Sequence, residues 1–288
     1  MTVPVPSSGY APTARPVSAA PARAPGSARA VLALAGRDLA EGRRMWAPLL
    51  LDIAYGVVNL ALFLVISRVL TPKDGLLGAS PHYFDFVAVG ITFMLVVQTA
   101  TSQVAGRVAQ EQRDGTLELL TVQPVSAGVL AVGLAAYPFL VALLRAALYL
   151  VVLALLFGLD VGEASGLGVA LILLAGAAAM MGVGIALMAV TVVTGRGDVL
   201  ARLLLVALSF VSGAYFPVTA LPGVPAALTA VLPSRVAIDG LRQALAGDPW
   251  GAELLLLTGG VAVLLPASVW LFDRALRSAR RRGRLTRI

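Results

Sequence analysis

Six apolar runs divide the chain, at about 47–66, 84–105, 130–157, 167–194, 199–216 and 252–272, each close to or above the roughly 20 residues a helix needs to cross a bilayer. Helix breakers separate them: Thr71-Pro72-Lys73-Asp74-Gly75, Gly195-Arg196-Gly197-Asp198, and Pro217 with Pro222 and Pro225. The third and fourth runs are longer than a bilayer requires, which predicts tilt or a start in the interface. Small residues crowd the fourth (Ala175, Ala178, Ala179, Gly182, Gly184) and predict close helix packing there. Ahead of the first run, Val31, Leu32, Leu34, Ala35 and Leu39 alternate at helical spacing with Arg37, Asp38, Glu41, Arg43 and Arg44. That pattern suits a helix lying in the membrane plane, a solvated lead-in to the first span being the alternative. Residues 1–29 are rich in Pro, Ala and Ser, lack an apolar signal core, and read as a disordered tail. The expected fold is an all-α polytopic membrane protein with six transmembrane helices, an N-terminal in-plane amphipathic helix, and short re-entrant helices between spans five and six.

Composition agrees: 59% of the 288 residues are hydrophobic and 13% charged, against roughly 45–50% and about 25% in soluble domains. The absence of cysteine excludes disulfides, thiolate metal sites and cysteine nucleophiles. His82 is the only histidine, so no multi-histidine metal site exists, and a serine–histidine pair would have to be built around a loop residue with no partner in view. A net charge of +7 raises nucleic acid or anionic membrane as partners. The distribution favours the membrane, because Arg274, Arg277, Arg280, Arg281, Arg282, Arg284 and Arg287 directly follow an apolar run with no aromatics among them. Of the 22 lysines and arginines, seventeen collect on one side when the loops are assigned alternately, four (Arg68, Lys73, Arg235, Arg242) fall on the other, and Arg145 lies within a span. This asymmetry predicts an even number of spans with both termini cytoplasmic.

Two segments are not explained by spanning alone. In the loop after the second run, Arg107 and Glu111 at i,i+4 lead to the break at Asp114-Gly115. Thr116 then caps a short helix carrying Leu117, Glu118, Leu119 and Leu120, and Pro124 closes it. Such an element suits docking into a groove on another protein or resting on lipid headgroups, and the residues alone leave both open. The segment from Ser212 to Leu245 is too broken by Pro217, Pro222, Pro225 and Pro233 to span and too apolar for a solvated loop, a loose interfacial loop being the alternative to ordered structure. Short helices dipping into the outer leaflet, shielded by protein, would satisfy its backbone.

These segments resemble the membrane subunits of ATP-binding-cassette type 2 permeases, which include drug-resistance, nodulation-factor and polysaccharide exporters. The family's coupling pattern Glu-x-x-x-Gly-Thr-Leu-Glu-x-Leu is matched by Glu111, Gly115, Thr116, Leu117, Glu118 and Leu120; its Gly-x-x-x-Pro-x-x-x-Leu-Pro stretch by Gly213, Pro217, Leu221 and Pro222, followed by Pro233, Asp239 and Arg242. The resemblance covers roughly residues 30–275. It implies an exporter subunit at the plasma membrane, of the kind that carries drugs or antibiotics. The subunit would form a homodimer or pair with a paralogue, with the substrate path between subunits and the coupling segment docked on a separate cytoplasmic ATPase that holds ATP and magnesium. The domains are then a 1–29 tail, a 30–275 six-span permease domain and a 276–288 basic cytoplasmic tail. No cofactor is expected on this chain. Its only lysine, Lys73, stands in Pro72-Lys73-Asp74 and cannot belong to a phosphate-binding loop.

Polar residues inside the runs are further candidates. Asp52 and Asn59 share a face of the first span with Tyr55 and Gly56. Asp52, about one turn inside the predicted boundary, reads either as an intramembrane functional group or as a headgroup-level charge paired with an arginine. Arg145 has no acidic neighbour in its own helix and must face the bundle or a wet cavity, or else snorkel. An ion-coupled secondary transporter is the alternative function, but it predicts repeated halves with matching broken helices, and the proline-broken segment has no counterpart in the first half. An intramembrane hydrolase needs a second acidic group or a nucleophile–base pair at depth, and Asp52 is alone in the span interiors.

Overall fold

The computed structural model describes residues 46–69, 83–113, 126–159, 161–194, 197–218 and 229–281. They form seven helices: α1 (Trp46–Val69), α2 (Tyr83–Arg113), α3 (Ala127–Phe157), α4 (Gly166–Thr194), α5 (Gly197–Val211), α6 (Pro233–Ala246) and α7 (Gly251–Arg281), with no strand among the described residues. Among them α2, α3, α4 and α7 are long and apolar enough to cross a membrane; the apolar stretches Ile53–Ser67 of α1 and Val199–Val211 of α5 are shorter.

Local chemistry sets the ends. Ser126 accepts a hydrogen bond from the Val129 amide and starts α3; Ser165 does the same for the Gly168 amide at the start of α4. Pro233 occupies the first turn of α6, where its missing N–H costs nothing. The fifth helix stops at Val211, short of the expected 216. The Ser209 and Ser212 hydroxyls turn back onto the Val206 and Leu208 carbonyls. The Gly213 and Ala214 amides then bond to the Phe210 and Ser209 carbonyls, with Gly213 at φ 75°. This pair of bonds is a Schellman closure, which needs a residue that tolerates the left-handed region. In the other direction α2 runs on to Arg113 and α7 to Arg281. Phe272, Ala275, Leu276 and Ala279 are buried, so the helix carrying the basic cluster still packs on the bundle beyond residue 272.

Specific contacts fix helix directions. Phe84 stacks on Phe157 and Arg107 lies over the Tyr137 ring, so α2 and α3 run antiparallel. Phe63 packs on Tyr215, whose carbonyl accepts from the Tyr83 hydroxyl, which puts the end of α1 beside the start of α2. Trp250 lies against Gly168 and Leu264 against Gly182, so α4 and α7 run parallel in close contact. The small residues of the fourth run therefore do act as packing positions, with Gly184 facing Phe139. Helix α2 is the central element, 78% buried along its apolar window against 11% for α7. Leucines and valines on the outer faces of α1, α3, α5 and α7 are exposed, as expected where lipid is the solvent.

Candidate functional site

Helix α6 lies alongside the first half of α4 and opposite in direction: Ala237 meets Gly176 and Phe93, Gly240 meets Ile172 and Glu253, and the Ala244 carbonyl accepts from Ser165. Its N-terminal end is therefore the deeper one, and Ser234 there shares a hydrogen bond with Ser212 at the end of α5. Small residues make the approach possible. A side chain at Gly90 of α2 would come within 2.6 Å of the Ala214 carbonyl oxygen and 3.0 Å of the Arg242 guanidinium.

Arg242 joins these pieces. Its Nη2 donates to the Phe86 carbonyl at 2.7 Å and the Gly213 carbonyl at 3.0 Å; Nε donates to Phe86 at 3.2 Å and Nη1 to Asp239 Oδ1 at 3.2 Å. The guanidinium also sits 3.5 Å from the centre of the Phe86 ring. One fork thus binds α2, the turn after α5, and α6, a geometry that a lysine ammonium does not reproduce. The Arg242 side chain is 5% exposed and that of Asp239 40%. Burial pulls the arginine down to about 10 while Asp239 opposes the shift, so Arg242 remains charged near neutral pH. Asp239 also accepts from Arg235, which donates in turn to Thr229.

The structure therefore brings together Gly213, Asp239 and Arg242 of the predicted residues, with Pro233 at the start of the same helix; Pro217 follows half-buried after the turn. Leu221 and Pro222 lie outside the described residues. Phe86, Gly90, Ser212, Thr229 and Ser234 were not singled out by sequence reasoning. Gly90, standing between Phe86 and Phe93 in α2, is the signal the sequence offers for this contact.

At the opposite end of α2, Arg107 is 5.6 Å from the centre of the Tyr137 ring on α3, and Glu111 is half-buried in the last turn. Asp114, Gly115, Thr116, Leu117, Glu118 and Leu120 lie outside the described residues, as do the in-plane segment before Trp46, His82 and the tail after Arg281. Asn59 and Arg145 are half-buried on α1 and α3; Asp52 belongs to α1, its side chain outside the description. No group of three or more His, Cys, Asp or Glu residues able to hold a metal occurs among the described residues.

Comparison with curated proteins finds no match. The model of the ABC-2 type transporter family matches residues 31–246, from ahead of α1 to the last residue of α6. That interval takes in the long α2, the turn after α5 and the whole Arg242 cluster, and with four helices long enough to cross a bilayer the chain is a multi-pass membrane component of an ABC transporter, a member of the ABC-2 type transporter family.

Proposed function

We propose that this chain is the substrate-conducting subunit of an ABC exporter, with six spans, both termini cytoplasmic, and ATP hydrolysed on a separate subunit that docks on residues 111–120. The observation that carries this reading is the continuity of α2. One unbroken helix bears Arg107 and Glu111 at one end and, at the other, the Phe86 carbonyl held by Arg242. A displacement imposed on the docking loop is delivered through this buried, rigid element to the junction of α5 and α6. There α6 acts as a re-entrant wedge between α2 and α4 at the outer end of a path formed with a second copy or a paralogue. Leu117 and Leu120 serve as apolar anchors on the ATPase, Glu111 and Glu118 pair with its basic groups, and Gly115 after Asp114 allows the turn that presents them. ATP and magnesium belong to that partner; this chain supplies no catalytic group. Residues 30–275 form the permease domain, with residues 1–29 and the basic end as cytoplasmic tails.

The test is retention of the ATPase by membranes carrying Leu117→Ala with Glu118→Arg. Loss of an anchor at a hot spot costs about 2 kcal/mol or more, so the double variant should insert normally but lose most of its partner. A variant that keeps the ATPase and transports at the wild-type rate would remove the input site from this scheme.

A further inference from the structure

From Leu203 to Gly247 the chain carries three charged side chains, Arg235, Asp239 and Arg242, and their spacing of i, i+4 and i+7 puts them on one face of α6. The single carboxylate is divided between the two guanidiniums. Asp239 Oδ2 accepts from Arg235 at 3.3 Å and Oδ1 from Arg242 at 3.2 Å. The cluster therefore holds one positive charge in excess. Among the described residues, Asp239 and Arg235 are the groups that act on the charge of Arg242. Asp85, one residue from Phe86, is not one of them, and Glu253 of α7 lies on another side of α6, against Gly240 and bonded to the Gln243 amide.

The excess charge is open on one side. Arg242 uses all three of its nitrogens and is 5% exposed, whereas the Arg235 side chain is 24% exposed and that of Asp239 40%. Arg235 donates through Nε to Asp239 and through Nη1 to Thr229, and its Nη2 has no partner among the described residues. Two N–H groups of a charged donor are thus left over, on a fork that suits the oxygens of a phosphate or carboxylate.

Helix contacts give the depth. Ala237 meets Phe93 of α2 and Gly176 of α4, each ten positions past the first residue of its helix, which is about 15 Å along both. These helices, of 31 and 29 residues, are about 45 Å long and exceed a hydrocarbon core of about 30 Å by about 7 Å at each end. Ala237 therefore lies about 7–8 Å inside the core, and the Arg235 guanidinium, which reaches one turn along α6 to Asp239, shares that level. A net charge left bare at such a depth is costly. A free ion must shed its water to reach it, whereas a headgroup phosphate is the anion that the bilayer itself brings to this boundary. Val231, 80% exposed just ahead of α6, offers apolar surface for the attached chain.

We propose that Arg235 binds the phosphate of an amphiphile drawn into the bilayer edge beside α6, which matches the charge that Asp239 leaves over. The site stands on the charge count and the depth of α6 and does not depend on the coupling scheme, so either can fail without the other.

The test uses the full-length protein, delipidated in uncharged detergent, with Arg280, Arg281, Arg282 and Arg284 changed to Gln so that the basic tail does not contribute. Tryptophan fluorescence during thermal unfolding gives an apparent affinity for each added lipid. Phosphatidylglycerol should raise the melting temperature, and diacylglycerol with the same chains should not. Arg235→Gln should weaken the phosphatidylglycerol affinity by about tenfold or more, and Asp239→Asn, which removes the competing carboxylate, should strengthen it by about threefold. If Arg235→Gln does not insert, Arg235→Lys takes its place; it keeps the charge without the fork and should bind several-fold more weakly than wild type. Equal affinity in wild type and the Arg235 variant, or weaker binding by Asp239→Asn, overturns the site. Diacylglycerol that binds as tightly as phosphatidylglycerol overturns the role of the phosphate. Inorganic phosphate that stabilises wild type but not the Arg235 variant, with no lipid present, overturns the amphiphile in favour of a free ion.

Discussion

Arg242→Met should loosen the junction of α2, α5 and α6 while keeping most of the apolar stem of the side chain. Four hydrogen bonds disappear, to Phe86, Gly213 and Asp239, and their losses are unequal. The Phe86 carbonyl keeps its partner within α2. The Gly213 carbonyl sits in a turn and is left buried without a donor, at about 1–3 kcal/mol. Asp239 is 40% exposed and retains Arg235, so the loss of its second partner is worth only about 0–1 kcal/mol. Two short bonds from a charged donor contribute about 3–5 kcal/mol gross, against which the relieved burial of the guanidinium must be set. The net is about 3 kcal/mol, or a fall of roughly 8 °C in melting temperature for a chain of this size. Tryptophan fluorescence during thermal unfolding in detergent reads it, since Trp250 packs on Gly168 close to α6. Arg242→Lys should recover less than half of the loss, because one ammonium cannot span three acceptors. A methionine variant melting within about 2 °C of wild type would refute the assignment of Arg242 as the joint.

Gly213→Ala forces a Cβ onto a backbone at φ 75° and within 3.0 Å of Val218, and should cost about 1–2 kcal/mol in the same unfolding assay. Gly90→Val should be worse, because its Cβ meets the backbone of Ala214 at 2.6 Å; protease should then cut the segment after α5 faster than in wild type. The folded-state pKa of Arg242, about 10, lies below its ordinary value, so the unfolded state holds the proton more tightly and this group adds stability only as pH rises through 10. Between about pH 6 and 9 the melting difference between wild type and Arg242→Met should therefore stay constant.

How far the sequence reveals the fold depends on which groups set each feature. The ends of α3 and α4 follow from uninterrupted apolar length bounded by Ser126, Gly158 and Ser165, all of which act locally. The stop of α5 does not, because Tyr215 and Phe216 continue the apolar run while the chain is turned by serine hydroxyls and the backbone of Gly213. Asp239 and Arg242 were legible as a motif, but the main acceptor for Arg242 is the backbone carbonyl of Phe86, 156 positions away, and a backbone carbonyl leaves no mark on residue type. The centrality of α2 was equally hidden. Its polar end at Gln98, Thr101 and Gln103 makes it look less membrane-like than α3, yet Gln98 donates to the Leu205 carbonyl of α5 and Thr101 is fully buried. The Gln98 amide there serves contact between helices.

Force entering at the loop after α2 and reaching the opposite end of the bundle is tested most directly by site-specific photocrosslinking in intact cells. A photoreactive residue in place of Leu117 should give an adduct containing an ATP-binding subunit, and the same probe in place of Val231, 80% exposed beside α6, should give none. An ATPase adduct from position 231, or none from position 117, would contradict both the topology and the coupling proposed here.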